Sequence, residues 1–263
     1  MGAMSSSPWD PAQYERFRAE RSQPFRDLLA GVRRRERPSV LDLGCGTGAL
    51  TRELHLELGA TRTLGVDSSA SMLEKARALE PAPGLSFEQR RIEDALGGER
   101  FGLVFSNAAL HWVDDHPALL ARLSEGVEPG GELAVQVPAN HDHASHRVAA
   151  ALAREEPYRE ALAGWERVVP VLSPGAYAAL LHELGYERPR VEMRVYAHLL
   201  PAPREVVEWV RGTTLTAYQR RLPAELWERF LADYEARLLP ELPSSSPCFF
   251  PFQRILFWAS RPA

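Results

Sequence analysis

Cysteine is almost missing from this chain: 263 residues carry two, Cys45 and Cys248. Two thiols build no disulfide framework, so a reducing, cytoplasmic compartment is the expectation. Long apolar runs are missing as well, and none approaches the length needed to span a bilayer. The N-terminus lacks a signal-peptide pattern, and Met1-Gly2-Ala3 ahead of Met4 reads as an expression scar. Charge of one sign is not in excess: 31 Lys and Arg stand against 35 Asp and Glu, a net charge of −4. That balance gives no electrostatic basis for binding nucleic acid or an anionic membrane. Internal repeats are absent. His141, Asp142, His143 and His146 lie close together but lack a Cys or carboxylate pair at ligand spacing, so they read as a polar hinge and no metal is expected. What remains is ordinary globular composition, 45% apolar and 25% charged, in a length that suits one large domain or a domain plus a cap.

The stretch Val40-Leu41-Asp42-Leu43-Gly44-Cys45-Gly46-Thr47-Gly48 organises the rest. Val40, Leu41 and Leu43 read as a short buried strand. The glycines force a tight turn, and Leu50, Leu54 and Leu58 repeat behind it at helical spacing. A strand, a glycine turn and a helix open a nucleotide-binding α/β unit, with unpaired N–H groups at the helix start. The order Gly44-x-Gly46-x-Gly48 is not the dinucleotide fingerprint. Asp42, two residues before the first glycine, would repel a pyrophosphate but suits an ammonium group such as that of S-adenosylmethionine (SAM). Asp67 closes the next apolar run, Thr63–Val66, at the spacing where an acid grips ribose hydroxyls.

Along the chain, Trp9 to Val32 is amphipathic, with Pro24 expected to break it into two helical pieces. Ser68 and Ser69 are N-cap candidates for a helix carrying Met72, Leu73 and Ala76. Leu85–Glu88 begins a third strand and Phe101–Phe105 forms a fourth. The fourth opens into Ser106-Asn107-Ala108-Ala109-Leu110-His111-Trp112, at the strand end where α/β sheets bind ligands. Pro117–Leu123 reads as a helix and Glu132–Val137 as the fifth strand, entered through Pro129-Gly130-Gly131. Beyond Pro138 the pattern predicts helices over about 145–162 and 174–184, a strand over 191–200, helices over 203–210 and 223–239, and a last apolar strand over 249–259.

These residues resemble the trans-aconitate 2-methyltransferases of the class I SAM-dependent fold. The resemblance runs from Trp9-Asp10-Pro11-x-x-Tyr14-x-x-Phe17 and Glu20-Arg21 through the glycine turn, Gly65–Ser69, Met72 and Ser106–Trp112. It continues through Ala134–Pro138, Glu208-Trp209-Val210 with Gly212-Thr213, and Phe250-Pro251-Phe252-x-Arg254. It implies an α/β, Rossmann-like fold: a seven-stranded, mostly parallel sheet with an antiparallel last strand, plus a helical cap. It implies a SAM-binding core over 1–140, a cap over the acceptor from 141–172 and 202–246, and the rest of the core from 173–201 and 247–263. By the same resemblance Asp42 and Gly44 hold the methionine end of SAM, Asp67 the ribose and Met72 the adenine, with Cys45, Gly46 and Ser68 also binding the cofactor. Ile92 and Asn107 complete the cofactor pocket. Three departures stand out. Arg91 replaces a family acid, with Glu93 or Asp94 as possible substitutes, and Gln23 and Thr216 replace family arginines. Arginine forks bind carboxylates bidentately, so an acceptor with fewer carboxylates than trans-aconitate is inferred.

The expected reaction is methyl transfer from SAM to a carboxylate oxygen, giving a methyl ester and S-adenosylhomocysteine. A carboxylate with a pKa of about 4 is already ionised at neutral pH, so no general base is required. Alignment of oxygen, methyl carbon and sulfur carries the catalysis. His111, Trp112 and Arg254 are the candidates for orienting the acceptor, joined in substrate binding by Tyr14, Arg21, Tyr196 and Tyr218. Two alternatives keep SAM: a malonyl group on an acidic carrier protein, met by the Arg33-Arg34-Arg35-x-Arg37 run, or a natural-product hydroxyl with His111 as base. A third is a SAM-binding regulator without turnover. A monomer acting on a small acid, without nucleic acid or membrane, is the expected state.

Overall fold

The computed structural model describes residues 18–263, with side chains from residue 22 onward. α1 spans Arg18–Ala30. β1 (Ser39–Leu43) leads through the glycine turn into α2 (Ala49–Leu58). β2 (Arg62–Asp67), α3 (Ala70–Arg77) and β3 (Leu85–Gln89) follow, then a 3-10 turn at Ile92–Asp94. β4 (Phe101–Asn107) runs into a second 3-10 turn, Leu110–Trp112, ahead of α4 (His116–Glu125) and β5 (Val127–Pro138). β1, β2 and β4 are almost wholly buried, which is why they read as near-continuous apolar runs without alternation. Past Pro138 come α5 (Ala144–Ala153), α6 (Tyr158–Ala161), α7 (Pro174–Glu183) and β6 (Glu187–Leu200). α8 (Arg204–Arg211), α9 (Thr216–Gln219), α10 (Ala224–Leu238) and β7 (Cys248–Ser260) complete the described chain.

The seven strands form one sheet in the order β3-β2-β1-β4-β5-β7-β6. β1 pairs in parallel with β2 and β4, β2 with β3, and β4 with β5. β7 enters last and antiparallel beside β5. This is the mostly parallel sheet with a reversed final strand that the resemblance implies. The Pro129-Gly130-Gly131 turn lies inside β5, as a register shift opposite Phe101 and Leu103.

Two helix expectations need correction. Pro24 does not break α1, which runs unbroken from Arg18 to Ala30. The lost N–H bond is outweighed by burial of Phe25, Leu28 and Leu29 on the same helix. The single helix expected over 145–162 is two, α5 and α6, because Pro157 between them supplies no backbone donor.

The chain divides into two compact units. The sheet unit holds residues 22–138, 170–194 and 253–263. The helical unit holds, of the described residues, 18–21, 139–169 and 195–252. Its core is rich in aromatics: Tyr158, Trp209, Tyr218, Trp227, Phe230, Tyr234, Phe250 and Phe252. Tyr218 stacks on Phe230 with ring centres 5.2 Å apart.

Candidate active site

The glycine turn closes through backbone geometry. Gly44, Gly46 and Gly48 all take positive φ (76°, 55° and 75°), a region that side chains resist. The N–H groups of Gly44 and Cys45 both donate to the Val66 carbonyl, at 2.8 and 3.0 Å, tying the turn to the end of β2. A Cβ on Gly44 would come within 2.2 Å of the Ala109 Cβ. Ile92 reaches the same place from the other side, its Cδ1 3.9 Å from that point. Gly48 is equally confined, by the Phe87 ring.

Asp42 lies at the heart of the turn, 5% exposed. The Thr51 hydroxyl, on the first turn of α2, donates to its Oδ2 at 2.6 Å. Burial pushes the Asp42 carboxyl up to about 7; the Thr51 hydrogen bond opposes the rise and the charge of Asp67 adds to it. A carboxylate held this way gains from a cation beside it. Asp67 is pinned by backbone donors: the Gly46 N–H gives to Oδ2 at 2.9 Å and the Ser69 N–H to Oδ1 at 2.8 Å. Each of its oxygens keeps a lone pair for a hydroxyl. Ser69 caps α3 by accepting from the Met72 N–H, while Ser68 is exposed and offers its carbonyl to Gln89. Met72 is half-buried one turn past Asp67. The Cys45 thiol is driven far up by burial and by the charges of Asp42 and Asp67, so it is an inert packing group. Among the described residues, these groups match the parts of SAM: a desolvated carboxylate for an ammonium, a free-edged carboxylate for a diol, and glycines where backbone comes close. Arg91, at the family acid's position, is exposed and ion-paired with Glu93, which is thereby occupied.

Register sets the rest of the site. Asp42 lies opposite Gly65 and Phe105, and Asn107 opposite Gln136. Side chains alternate along a strand, so Asp42, Asp67, Asn107 and Gln136 share one face at the carboxyl ends of the strands. Arg254 of β7, opposite Pro138, falls on that face too and is 4% exposed. The Asn107 Oδ1 and both amide atoms of Gln136 are buried without a hydrogen bond among the described residues. Gln136 lies within the apolar pattern of the fifth strand, and nothing in its sequence context sets it apart.

His111 and Trp112 sit on the 3-10 turn after β4, with ring centres 4.7 Å apart. His111 is half-buried and Trp112 is 40% exposed. The turn is held by His116, whose Nε2 bonds the Leu110 carbonyl at 3.0 Å and whose Nδ1 pairs with the Tyr177 hydroxyl. Burial lowers the His116 pKa, which keeps the ring neutral.

Tyr196 and Tyr218 belong to the helical unit. Tyr196 is half-buried, whereas Tyr218 is packed in the core of that unit against Phe230 and Trp165. Tyr14 lies outside the described residues, and Arg21 is described only as a helical backbone position. In the histidine cluster, His143 caps α5 on the Ser145 N–H and His146 bonds the Thr214 hydroxyl. Among the described residues no group of three or more side chains is arranged to hold a metal ion. No described helix is long and apolar enough to cross a membrane.

This sheet order, with its glycine cradle and paired acids, defines a class I SAM-dependent methyltransferase. A methyltransferase-domain family model matches residues 14–188. The chain is 46% identical over 260 residues to the trans-aconitate 2-methyltransferase of Deinococcus radiodurans, covering 97% of this chain and 98% of that one. It therefore belongs to the trans-aconitate 2-methyltransferase family. In fold it is similar to the YcgJ protein of Bacillus subtilis (TM-score 0.61, 16% identity, 92% of this chain and 99% of that one). It is also similar in fold to phosphoethanolamine N-methyltransferase 2 of Haemonchus contortus in complex with SAM (TM-score 0.53, 17% identity, 100% of this chain and 62% of that one).

Proposed function

We propose that this methyltransferase forms a methyl ester on a small carboxylic acid of the trans-aconitate kind. The observation that carries the reading is Arg254, a buried arginine on the sheet face that bears Asn107 and Gln136 at the strand ends. A guanidinium in that position suits a carboxylate acceptor and does nothing for a neutral one. SAM supplies an electrophilic methyl group: the carboxylate oxygen bonds to the methyl carbon, the carbon–sulfur bond breaks, and the electron pair stays on sulfur.

The chain's own residues bind, orient and exclude water. In this reading Asp42 holds the ammonium and Asp67 the ribose, with Gly44, Cys45, Gly46, Ser68, Met72, Ile92 and Asn107 shaping the pocket. Arg254, His111, Trp112 and the Gln136 amide orient the acceptor. The acceptor is already ionised near neutral pH, so no residue has to remove a proton. The protein acts as a cytoplasmic monomer without a nucleic-acid partner.

Methyl transfer from labelled SAM to a panel of mono-, di- and tricarboxylic acids, trans-aconitate included, tests this. Base-labile methyl in the product marks an ester and is the expected result. SAM binding with no labile methyl on any acid would overturn the reading.

A further inference from the structure

Gln136, near the carboxyl end of β5, is fully buried in an apolar stretch that includes Ala134, Val135 and Val137. Its carbonyl accepts from the Ala108 N–H at 2.9 Å, so its main chain is engaged. Neither end of its side-chain amide has a hydrogen-bond partner among the described residues. Buried polar side chains elsewhere in the sheet unit do have one: Thr51 donates to Asp42, His55 pairs with Thr63, and Ser106 donates to the Leu43 carbonyl. The Asn107 Oδ1, opposite Gln136 on β4, is unmatched as well, so the two amides do not satisfy each other. A buried amide in this state costs free energy that an apolar side chain of the same shape would avoid. Such a group marks a place where a ligand or ordered water supplies the partners.

The missing partners define the ligand. A primary amide offers a donor, Nε2, and an acceptor, Oε1, side by side. A bare carboxylate only accepts: it satisfies Nε2 and leaves Oε1 and the Asn107 Oδ1 without a donor. An ammonium only donates, and it carries a positive charge. Arg254, buried on the same face opposite Pro138, is a diagonal neighbour of Gln136 across the β5–β7 pair, at about 7–8 Å, and its guanidinium would repel that charge. A hydroxyl donates without a charge. An α-hydroxy acid presents a carboxylate oxygen and a hydroxyl on neighbouring carbons, so it matches Nε2 and Oε1 together and keeps its negative charge toward Arg254. Asn107, Gln136 and Arg254 all belong to the sheet unit.

We infer that Gln136 reads a hydroxyl beside the reacting carboxylate, so that the preferred acceptor is an α-hydroxy acid. This rests on the carboxyl-methylation reading and narrows the acceptor within it. Nε2 donates to one carboxylate oxygen and leaves the other to bond to the methyl carbon as the carbon–sulfur bond breaks, with the electron pair staying on sulfur. The hydroxyl keeps its proton and gives a hydrogen bond to Oε1.

Matched acids test this. Succinate, malate and aspartate differ in the substituent beside one carboxylate, and propionate, lactate and alanine repeat the comparison on a monoacid. Each chiral acid is supplied as both enantiomers. Base-labile methyl from labelled SAM is counted for wild type and Q136M. In at least one set, wild type should favour the hydroxy acid over the unsubstituted acid at least about ten-fold in kcat/KM. Q136M should lower both values and bring their ratio to within about two-fold. Unchanged S-adenosylhomocysteine affinity shows that Q136M is folded, and the wild-type ratio is read without any variant. Equal use within both sets, or turnover of trans-aconitate alone, overturns the inference while leaving the methylation reading in place. Preference for the amino acids overturns it in favour of a charged donor, and a ratio that survives in Q136M overturns it too. The methylation reading fails separately, if no acid, trans-aconitate included, gains a base-labile methyl although SAM binds.

Discussion

The Tyr177 hydroxyl donates to the Nδ1 of His116. The Leu110 carbonyl only accepts, so the His116 Nε2 carries the proton, and Nδ1 must take the Tyr177 hydroxyl. That relay holds the 3-10 turn bearing His111 and Trp112. Y177F leaves a buried ring nitrogen without a donor, at a cost of about 1–3 kcal/mol. The thermal midpoint should fall by a few degrees and kcat/KM should drop, while SAM affinity holds. An unchanged midpoint and unchanged kcat/KM would show that the hydroxyl does not position the turn.

SAM affinity should depend on pH through Asp42. Its folded pKa of about 7 lies above the unfolded value of about 3.9, so the folded apo-protein binds the extra proton between them. Apo-protein stability therefore falls as pH rises through that window. The ammonium ligand needs the ionised form, so affinity rises over the same range, roughly eight-fold between about pH 6 and pH 7.5. T51V removes the hydrogen bond that favours the carboxylate and should move the midpoint upward. A flat affinity profile in wild type, measured by calorimetry, would place Asp42 outside the ammonium site.

Gly44 admits no side chain. Its φ of 76° costs an L-residue roughly 1–2 kcal/mol, and a Cβ would overlap that of Ala109 at 2.2 Å. G44A should lose SAM binding while keeping its circular dichroism. Adding A109G removes the overlap but not the strain, so the double variant should recover part of the affinity. No recovery would mean that the ligand itself, rather than Ala109, claims the space.

What was legible in the sequence was local. Asp42, the glycines and Asp67 announce themselves because a strand, a turn and a helix fix their spacing within one βαβ unit. Relations across the chain left no such mark. His116 and Tyr177 lie 61 positions apart. The shared face of Asp42, Asn107, Gln136 and Arg254 follows from strand register, which no single segment encodes. Pro24 leaves its helix intact because core burial outweighs one missing donor, whereas Pro157, set among charged residues between two helical stretches, ends one.

Gln136 separates function from stability. Among the described residues, both its amide atoms are buried without a partner, and so is the Oδ1 of its register neighbour Asn107. An unsatisfied buried amide destabilises the fold by about 1–3 kcal/mol, and replacing it with an apolar group of similar shape removes that penalty. Q136M should therefore keep or raise the thermal midpoint. If the amide orients the acceptor, the same variant should lose about ten-fold or more in kcat/KM with SAM affinity intact. Q136E should do worse with acids, because it sets a carboxylate against a carboxylate. A midpoint several degrees lower in Q136M would mean that ordered water or protein satisfies the amide, and that it serves the sheet rather than the substrate.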